Sequence, residues 1–147
     1  AAPRAARAGR AVGRAASEAE GRRLMKLAED VRARAHARYS GFRVGAALLE
    51  ADGRVFVGCN VENASYGLSM CAERSALFGA LARGARSFRR VAIVAEGVRP
   101  VLPCGACRQL LSEHAPQLIV ILESPDGSPE EVPIGALYPR PFDGPPK

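Results

Sequence analysis

The chain has 147 residues, of which 48% are hydrophobic and 24% are charged, a composition that suits one globular domain with a sizeable core. No apolar run approaches the roughly 20 residues of a membrane span, and we see no secretory signal pattern, so we expect a soluble protein that is not exported. Four cysteines are too few for a disulfide scaffold, which leaves metal or redox chemistry as their better use.

The net charge of +6 would suit a nucleic-acid partner, but the distribution of the charge weakens that interpretation. Residues 1–16 contain four arginines and no acid, so residues 17–147 carry only about +2. We expect residues 1–16 to be a disordered, basic Ala/Arg-rich tail and residues 17–147 to be a single domain. We expect a cytoplasmic protein, although an Arg-rich start without acids also resembles an organellar transit segment.

The predicted elements begin with a helix. Ser17 and Glu20 form a capping box, which predicts a helix start at Ser17. Apolar residues then recur at steps of three and four, which places them on one helix face, and Gly41 ends the pattern.

A hairpin is predicted after this helix. Residues 42–49 and 54–59 are rich in β-branched, aromatic and aliphatic side chains, as strands are. Asp52 and Gly53 lie between the two runs and predict a tight turn, so the strands should be antiparallel. Residues 60–70 fit neither a helical nor a strand period and are predicted to form a loop.

Helices and strands alternate in the second half of the chain. Cys71 leads a helix that ends at Gly84, and a second cysteine-led helix follows Pro103. Short runs predict strands at 90–95, 118–122 and 131–133, followed by a short helix at 134–138. The last two strands should be antiparallel, because no crossover helix fits between them. This order predicts an α/β fold: a three-layer α/β/α sandwich with a five-stranded mixed sheet.

Three cysteines predict a metal site at the ends of two helices. Cys71 leads one predicted helix, and Cys104 and Cys107 lead another. Free N–H groups and the positive dipole at a helix N-terminus favour thiolates, so two such ends can bring three thiolates to one zinc ion. Cys59 lies in a predicted strand. If it stays away, water occupies the fourth position, as in a catalytic zinc site.

Glu73 and Arg74 follow the first of these cysteines. Glu73 is placed to approach the water without binding the metal, and Arg74 is placed to offset the excess negative charge of three thiolates. Simpler alternatives stay open for each part. Cys104-x-x-Cys107 alone would also suit a redox dithiol or half of a structural zinc knuckle, and Glu73 alone would suit a first-turn helix acid.

Several motifs occur together in an order known from one enzyme family. Zinc-dependent base deaminases carry H-x-E followed by P-C-x-x-C, and a cysteine can replace the histidine. The segments Cys71-Ala72-Glu73-Arg74 and Pro103-Cys104-Gly105-Ala106-Cys107 follow that pattern. With Phe42-Arg43-Val44-Gly45-Ala46-Ala47-Leu48-Leu49 and Gly58-Cys59-Asn60-Val61-Glu62-Asn63-Ala64, the chain resembles the small single-domain cytidine deaminases from Tyr39 to about Phe142.

The resemblance implies hydrolytic deamination of cytidine and deoxycytidine to uridine and deoxyuridine in pyrimidine salvage, with release of ammonia. It implies one zinc ion per chain, held by Cys71, Cys104 and Cys107. Glu73 would take a proton from zinc-bound water, pass it to ring N3 and then protonate the departing amine. The family's single-domain form is a homotetramer whose pockets are completed by neighbouring subunits.

The resemblance also implies a set of substrate-binding residues. Asn60 and Glu62 match the family's ribose-binding pair, with Glu62 accepting a hydrogen bond from the 3′-hydroxyl. A carboxylate there would repel a 3′-phosphate, so nucleic acid is not expected as a substrate. Phe42 would pack on the pyrimidine ring. The full set is Phe42, Asn60, Glu62, Ala64, Tyr66, Ala72 and Phe142, of which Ala64, Tyr66 and Phe142 are expected at subunit contacts.

Three other functions stay open. A polynucleotide deaminase would share the zinc site and suit the basic charge, but Glu62 argues against it, and such enzymes usually carry His where this chain has Cys71. An aminonucleoside-antibiotic deaminase would share both cysteine motifs and is expected to differ around residues 60–63. A structural zinc module would use Cys59 as its fourth ligand.

Overall fold

The computed structural model describes the backbone of residues 4–145 and the side chains of residues 13–145. The sheet is formed by β1 (Val44–Glu50), β2 (Val55–Cys59), β3 (Phe88–Ala95), β4 (Ile119–Glu123) and β5 (Pro129–Pro133). The helices are α1 (Arg4–Arg32), α2 (Ala72–Ala82), α3 (Gly105–His114) and α4 (Ile134–Leu137). A 3-10 turn at Tyr66–Leu68 lies within the predicted loop.

The five strands form one mixed sheet in the order β2-β1-β3-β4-β5. β3 and β4 are parallel, and every other neighbouring pair is antiparallel. The predicted hairpin, the antiparallel last pair and the five-stranded mixed α/β sheet are therefore confirmed. The helix α3 makes the crossover that a parallel pair requires.

Helices cover both faces of the sheet, because successive side chains of a strand point to opposite faces. On β1, Ala46 and Leu48 join the larger core, which includes buried residues of α2, α3 and α4. Ala47 and Leu49 join a second core on the other face, with Leu24 and Ala28 among the α1 residues. The three layers that the sequence predicts are present.

Two glycines allow the helices to lie close to the sheet. A Cβ atom on Gly45 would lie 1.9 Å from the carbonyl oxygen of Ala28 in α1. A Cβ atom on Gly58 would lie 2.4 Å from the backbone nitrogen of Ala76 and 2.6 Å from the carbonyl oxygen of Ala72, both in α2. Only a residue without a side chain permits either approach.

The first helix differs from the prediction at both ends. It begins at Arg4, so residues 4–16 are helical in the structure, whereas the sequence predicts a disordered tail there; residues 1–3 lie outside the described residues. Alanine and arginine are strong helix formers, so the helix continues upstream of the Ser17 capping box. It ends at Arg32 rather than near Gly41, because the backbone of His36 pairs instead with Asn60 and Glu62.

Arg90 of β3 ties α1 and β5 to the sheet. Its guanidinium lies 3.0 Å from Glu20 and 2.8 Å from Glu131, and it donates to the backbone carbonyl and hydroxyl of Ser17. Ser17, the expected helix cap, therefore acts as an interior helix residue that fixes α1 to the strands.

None of the helices in the described part of the chain is both long and apolar enough to span a membrane.

Candidate active site

The three predicted metal ligands converge at the N-termini of α2 and α3. Cys71 is the N-cap residue of α2, and Cys104 is the N-cap residue of α3, with Cys107 one turn later. The Sγ atoms of Cys71 and Cys104 are 3.6 Å apart, and those of Cys104 and Cys107 are 3.5 Å apart. All three sulfurs lie within 4.8 Å of one another. The sequence prediction of two helix ends meeting at one site agrees with this geometry.

The sulfur spacing fits a zinc ion. A Zn–S bond of about 2.3 Å in a tetrahedron places two sulfurs about 3.8 Å apart, close to the observed separations. All four cysteines are among the described residues, and Cys59 does not belong to the group. Three thiolates without a fourth protein ligand are the arrangement of a catalytic rather than a structural zinc site, and the four-cysteine module is not favoured.

The pKa values of two of the thiol groups are shifted in opposite directions. The pKa of Cys71 is lowered to about 5, first by a hydrogen bond from Cys107 and then by Arg74. The pKa of Cys107 is raised, because its thiol donates to Cys71 and is buried. Arg74 Nη2 lies 3.6 Å from the sulfur of Cys71, as expected for a residue that balances thiolate charge. Metal binding would displace the remaining thiol protons.

Glu73 lies beside the three sulfurs and is only 5% exposed. Burial raises the pKa of its carboxyl to about 7, and the negative charge of Cys71 adds to that shift. Glu73 is the second residue of α2, and it lines a pocket that Cys71 and Cys104 also line. Geometry therefore places one acid next to the metal position without making it a ligand.

The pocket above Glu73 has a volume of about 250 Å³. That is just below the roughly 300–1,000 Å³ typical of small-molecule sites, so it suits a small substrate. Seven predicted site residues line it: Phe42, Asn60, Glu62, Cys71, Ala72, Glu73 and Cys104. Five lining residues were missed by sequence reasoning: Val44, Ser69, Met70, Val101 and Leu102. Each lies within three residues of a motif residue, and that proximity was the one signal available.

The side-chain amide of Asn60 makes two hydrogen bonds within the protein. Its Nδ2 donates to the carbonyl oxygen of Phe42 at 2.8 Å, and its Oδ1 accepts from the backbone nitrogen of Val44 at 2.8 Å. One N–H and one oxygen lone pair remain for a ligand. Asn60 thus holds Phe42 against the pocket as well as lining it.

Three predicted substrate residues do not reach this pocket within the chain. Ala64 and Tyr66 are exposed, and the Tyr66 ring packs against Tyr39 with centroids 6.0 Å apart. Phe142 is 69% exposed, and its backbone N–H and carbonyl both bond to the side chain of Gln109. Within one chain, Ala64, Tyr66 and Phe142 therefore do not line the pocket.

A larger groove of about 640 Å³ lies between α1 and β5. Its lining includes Arg14, Ser17, Glu18, Ser128 and Glu131. It contains no cysteine cluster and no buried acid, so the smaller pocket is the better candidate for chemistry.

A buried carboxyl next to three cysteine sulfurs, in the lining of a small pocket, is the set of groups expected of a hydrolytic zinc site. The family model described as the cytidine and deoxycytidylate deaminase zinc-binding region matches residues 18–123. Relatives named cytidine deaminase from Halalkalibacterium halodurans and Sporosarcina psychrophila are 48% and 43% identical; the matches cover 81% and 82% of this chain and 91% and 89% of theirs. The crystal structure of cytidine deaminase from Burkholderia pseudomallei is 51% identical, with a TM-score of 0.77, over 81% of this chain and 96% of that one. The chain belongs to the cytidine deaminase family.

Proposed function

We propose that the protein converts cytidine and deoxycytidine to uridine and deoxyuridine by hydrolysis, releasing ammonia, with one zinc ion held by Cys71, Cys104 and Cys107. The observation that carries this proposal is the cluster of three sulfurs with Glu73 beside it, in a chain of this family. When bound, zinc would supply a nucleophile near neutral pH and stabilise negative charge on the attacking oxygen.

Glu73 is the proton carrier in this reaction. It takes one proton from the attacking water and delivers it to ring N3; it then takes the second proton from the hydroxyl group added at C4 and passes it to the amine, which leaves as ammonia. Its burial among apolar and thiol groups excludes bulk water from that path. Arg74 offsets the excess charge of the thiolates and is not itself placed in the pocket lining.

The upper part of the pocket binds the nucleoside. Phe42 is 38% exposed at the pocket wall, where its ring can cover the pyrimidine. Glu62 accepts the hydrogen bond of a sugar hydroxyl, and Asn60 offers its remaining N–H. A carboxylate at the sugar end repels a 3′-phosphate, which favours free nucleosides over polynucleotides and a role in pyrimidine salvage.

We further propose that the enzyme is a homotetramer in which Ala64, Tyr66 and Phe142 meet a neighbouring chain. Large apolar side chains are unusually exposed: Tyr66 is 75% exposed, Leu68 68% and Phe142 69%. Contact with other chains would bury this surface.

The function is tested with Glu73→Gln, which keeps the side-chain volume but removes the proton carrier. We expect about one zinc per chain to be retained while turnover of cytidine falls by about 100-fold or more. Glu113→Gln, an exposed carboxylate on α3, is the matched control and should turn over cytidine normally. Normal turnover by Glu73→Gln, or wild-type activity confined to cytosines in single-stranded DNA, would refute the proposal.

The shared pocket is tested by mixing two defective subunits. Phe142→Ala chains keep Glu73, and Glu73→Gln chains keep Phe142, so a mixed tetramer contains pockets with both groups. We expect sedimentation at the tetramer mass and, after co-expression, activity clearly above that of either variant alone. A monomeric protein, or a mixture no better than its parts, would reject the exchange of Phe142 between chains.

A further inference from the structure

One hydroxyl group connects the two walls of the pocket. Ser40 lies in the segment between α1 and β1, and its Oγ donates to Oε1 of Glu62. The same Oγ accepts a hydrogen bond from the backbone nitrogen of Phe42 at 3.0 Å. Glu62 and Phe42 both line the pocket, whereas Ser40 does not. Ser40 therefore bonds at once to the carboxylate of one lining residue and to the backbone of another.

The direction of these hydrogen bonds is fixed by proton count. A hydroxyl has one proton and two lone pairs. Because the N–H of Phe42 can only donate, it occupies a lone pair of Oγ and leaves the proton for the carboxylate of Glu62. The hydrogen bond from Ser40 is also the first cause of the lowered pKa of Glu62, which keeps the carboxylate in its accepting form.

The carboxylate of Glu62 is almost fully occupied by this segment. Its Oε2 accepts from the backbone nitrogen of Tyr39 at 2.8 Å and from that of Ser40 at 3.2 Å. With the hydroxyl of Ser40, three of roughly four acceptor positions are taken. The carboxylate is held in one orientation and has one position left for a single donor from a ligand.

We propose that Ser40 is a positioning residue. Its hydroxyl holds Glu62 and Phe42 in the relative positions that bind the sugar and the base of the substrate. This role rests on the proposed nucleoside deaminase function. Ser40 is exposed and belongs to neither core, so its loss removes hydrogen bonds rather than buried apolar surface. The backbone donors of Tyr39 and Ser40 remain in a Ser40→Ala variant, so Glu62 is loosened rather than released.

The test compares Ser40→Ala with Ser40→Thr, which retains a hydroxyl. For cytidine we expect Ser40→Ala to raise KM by about 10-fold while kcat changes by less than about 3-fold, since a hydrogen bond to a charged group is lost. Ser40→Thr should restore most of the affinity. Ser128→Ala is the matched control, because Ser128 also donates its hydroxyl to a carboxylate, that of Asp126, in the turn between β4 and β5. It should leave both constants unchanged.

A truncated substrate separates positioning from a general structural effect. Cytidine without its 3′-hydroxyl offers Glu62 no donor there, so Ser40→Ala should raise its KM clearly less than that of cytidine, by the part that acts through Phe42 alone. An equal rise in KM for both substrates, or a loss of zinc from Ser40→Ala, would make the role merely structural and overturn the proposal. Unchanged KM for cytidine in Ser40→Ala would overturn it while leaving the deaminase function intact. A wild-type protein without deaminase activity would contradict both.

Discussion

Arg74 places a positive charge next to the sulfur cluster. Three thiolates exceed the charge of a zinc ion by one, and the guanidinium compensates that excess from 3.6 Å. The pKa of Arg74 is raised by its hydrogen bond to Cys71 and by all three cysteines, so the guanidinium stays charged. A zinc ion, the three thiolates and the guanidinium would together be neutral, which would limit the loss of electrophilicity that a third thiolate causes.

Arg74→Gln should weaken the site without unfolding the chain. We expect zinc affinity or kcat to fall by about 10- to 100-fold, the usual effect of losing a group that supports metal ligands. Competition with a chromogenic chelator measures the first quantity, and steady-state kinetics measures the second. Arg83→Gln, an exposed arginine at the end of α2, is the control. If both quantities match wild type in Arg74→Gln, charge compensation is not its role.

The position of α2 depends on the glycine in β2. Gly58 lets the backbone of α2 approach the strand so closely that a Cβ atom would lie 2.4 Å from Ala76 N. Ala72 also borders Gly58, and it directly follows Cys71 in the chain. A change in β2 is therefore transmitted to a metal ligand by the rigid helix.

Gly58→Ala should destabilise the protein and disturb the metal site together. We expect the free energy of unfolding to fall by about 3 kcal/mol, because backbone atoms must move to admit the methyl group. Zinc affinity should fall as well. Urea unfolding and zinc titration measure the two effects. Gly135→Ala is a matched control, since a Cβ atom at Gly135 in α4 meets nothing within 4 Å. A Gly58→Ala protein with wild-type stability would show that α2 can move away from β2 without lowering the free energy of unfolding.

Elements with a strong local period could be predicted from the sequence, and their ends could not. Asp52-Gly53 and the apolar runs around it determine the hairpin locally, and the structure has the strands within two residues of the prediction. The start of α1 was misplaced because a capping box is effective only where the upstream residues disfavour helix. Its end was misplaced because pairing of His36 with residues beyond β2 is a long-range interaction.

The candidate site, too, could be predicted only in part from the sequence. The spacing of Cys71, Cys104 and Cys107 carries its chemistry in the sequence, and the structure brings the three together. The role of Ser40 could not be predicted, because it depends on a contact between the segment before β1 and Glu62, which follows β2 in the chain. The roles proposed for Tyr66 and Phe142 involve contacts with other chains, and they stay predictions.

At the scale of the whole molecule, one network joins the first helix to the far strand of the sheet. Arg90 contacts Glu20 of α1 and Glu131 of β5 from its position in β3. Glu131 also accepts from the hydroxyl of Ser17, and this bond, followed by Arg90, lowers the pKa of its carboxyl. The first helix and the edge strand β5 are thus linked through a carboxylate that titrates in acid.

Glu131→Gln should change how stability depends on acidity. A carboxylate whose folded pKa is lowered stabilises the fold above its unfolded value of 4.5, and the contribution disappears as pH falls through the lower folded pKa. The side chain of Glu131 is 38% exposed, so after solvent screening we expect a deficit of about 1 kcal/mol or less at pH 7.

Urea unfolding at a series of pH values measures that deficit, which should shrink toward zero below pH 4. Glu130→Gln changes the neighbouring exposed carboxylate and is the control. A deficit that is constant with pH would mean that the charge of Glu131 does not contribute.

The closeness of the three sulfurs has a consequence for the metal-free protein. Cys104 is exposed, and its sulfur lies 3.5 to 3.6 Å from two others, one of which ionises readily. A thiolate next to an accessible thiol is the arrangement from which disulfides form once an oxidant is present. The bound metal therefore protects its own ligands from air. We therefore expect the metal-free protein to need a reductant during storage and the zinc-bound protein to need none.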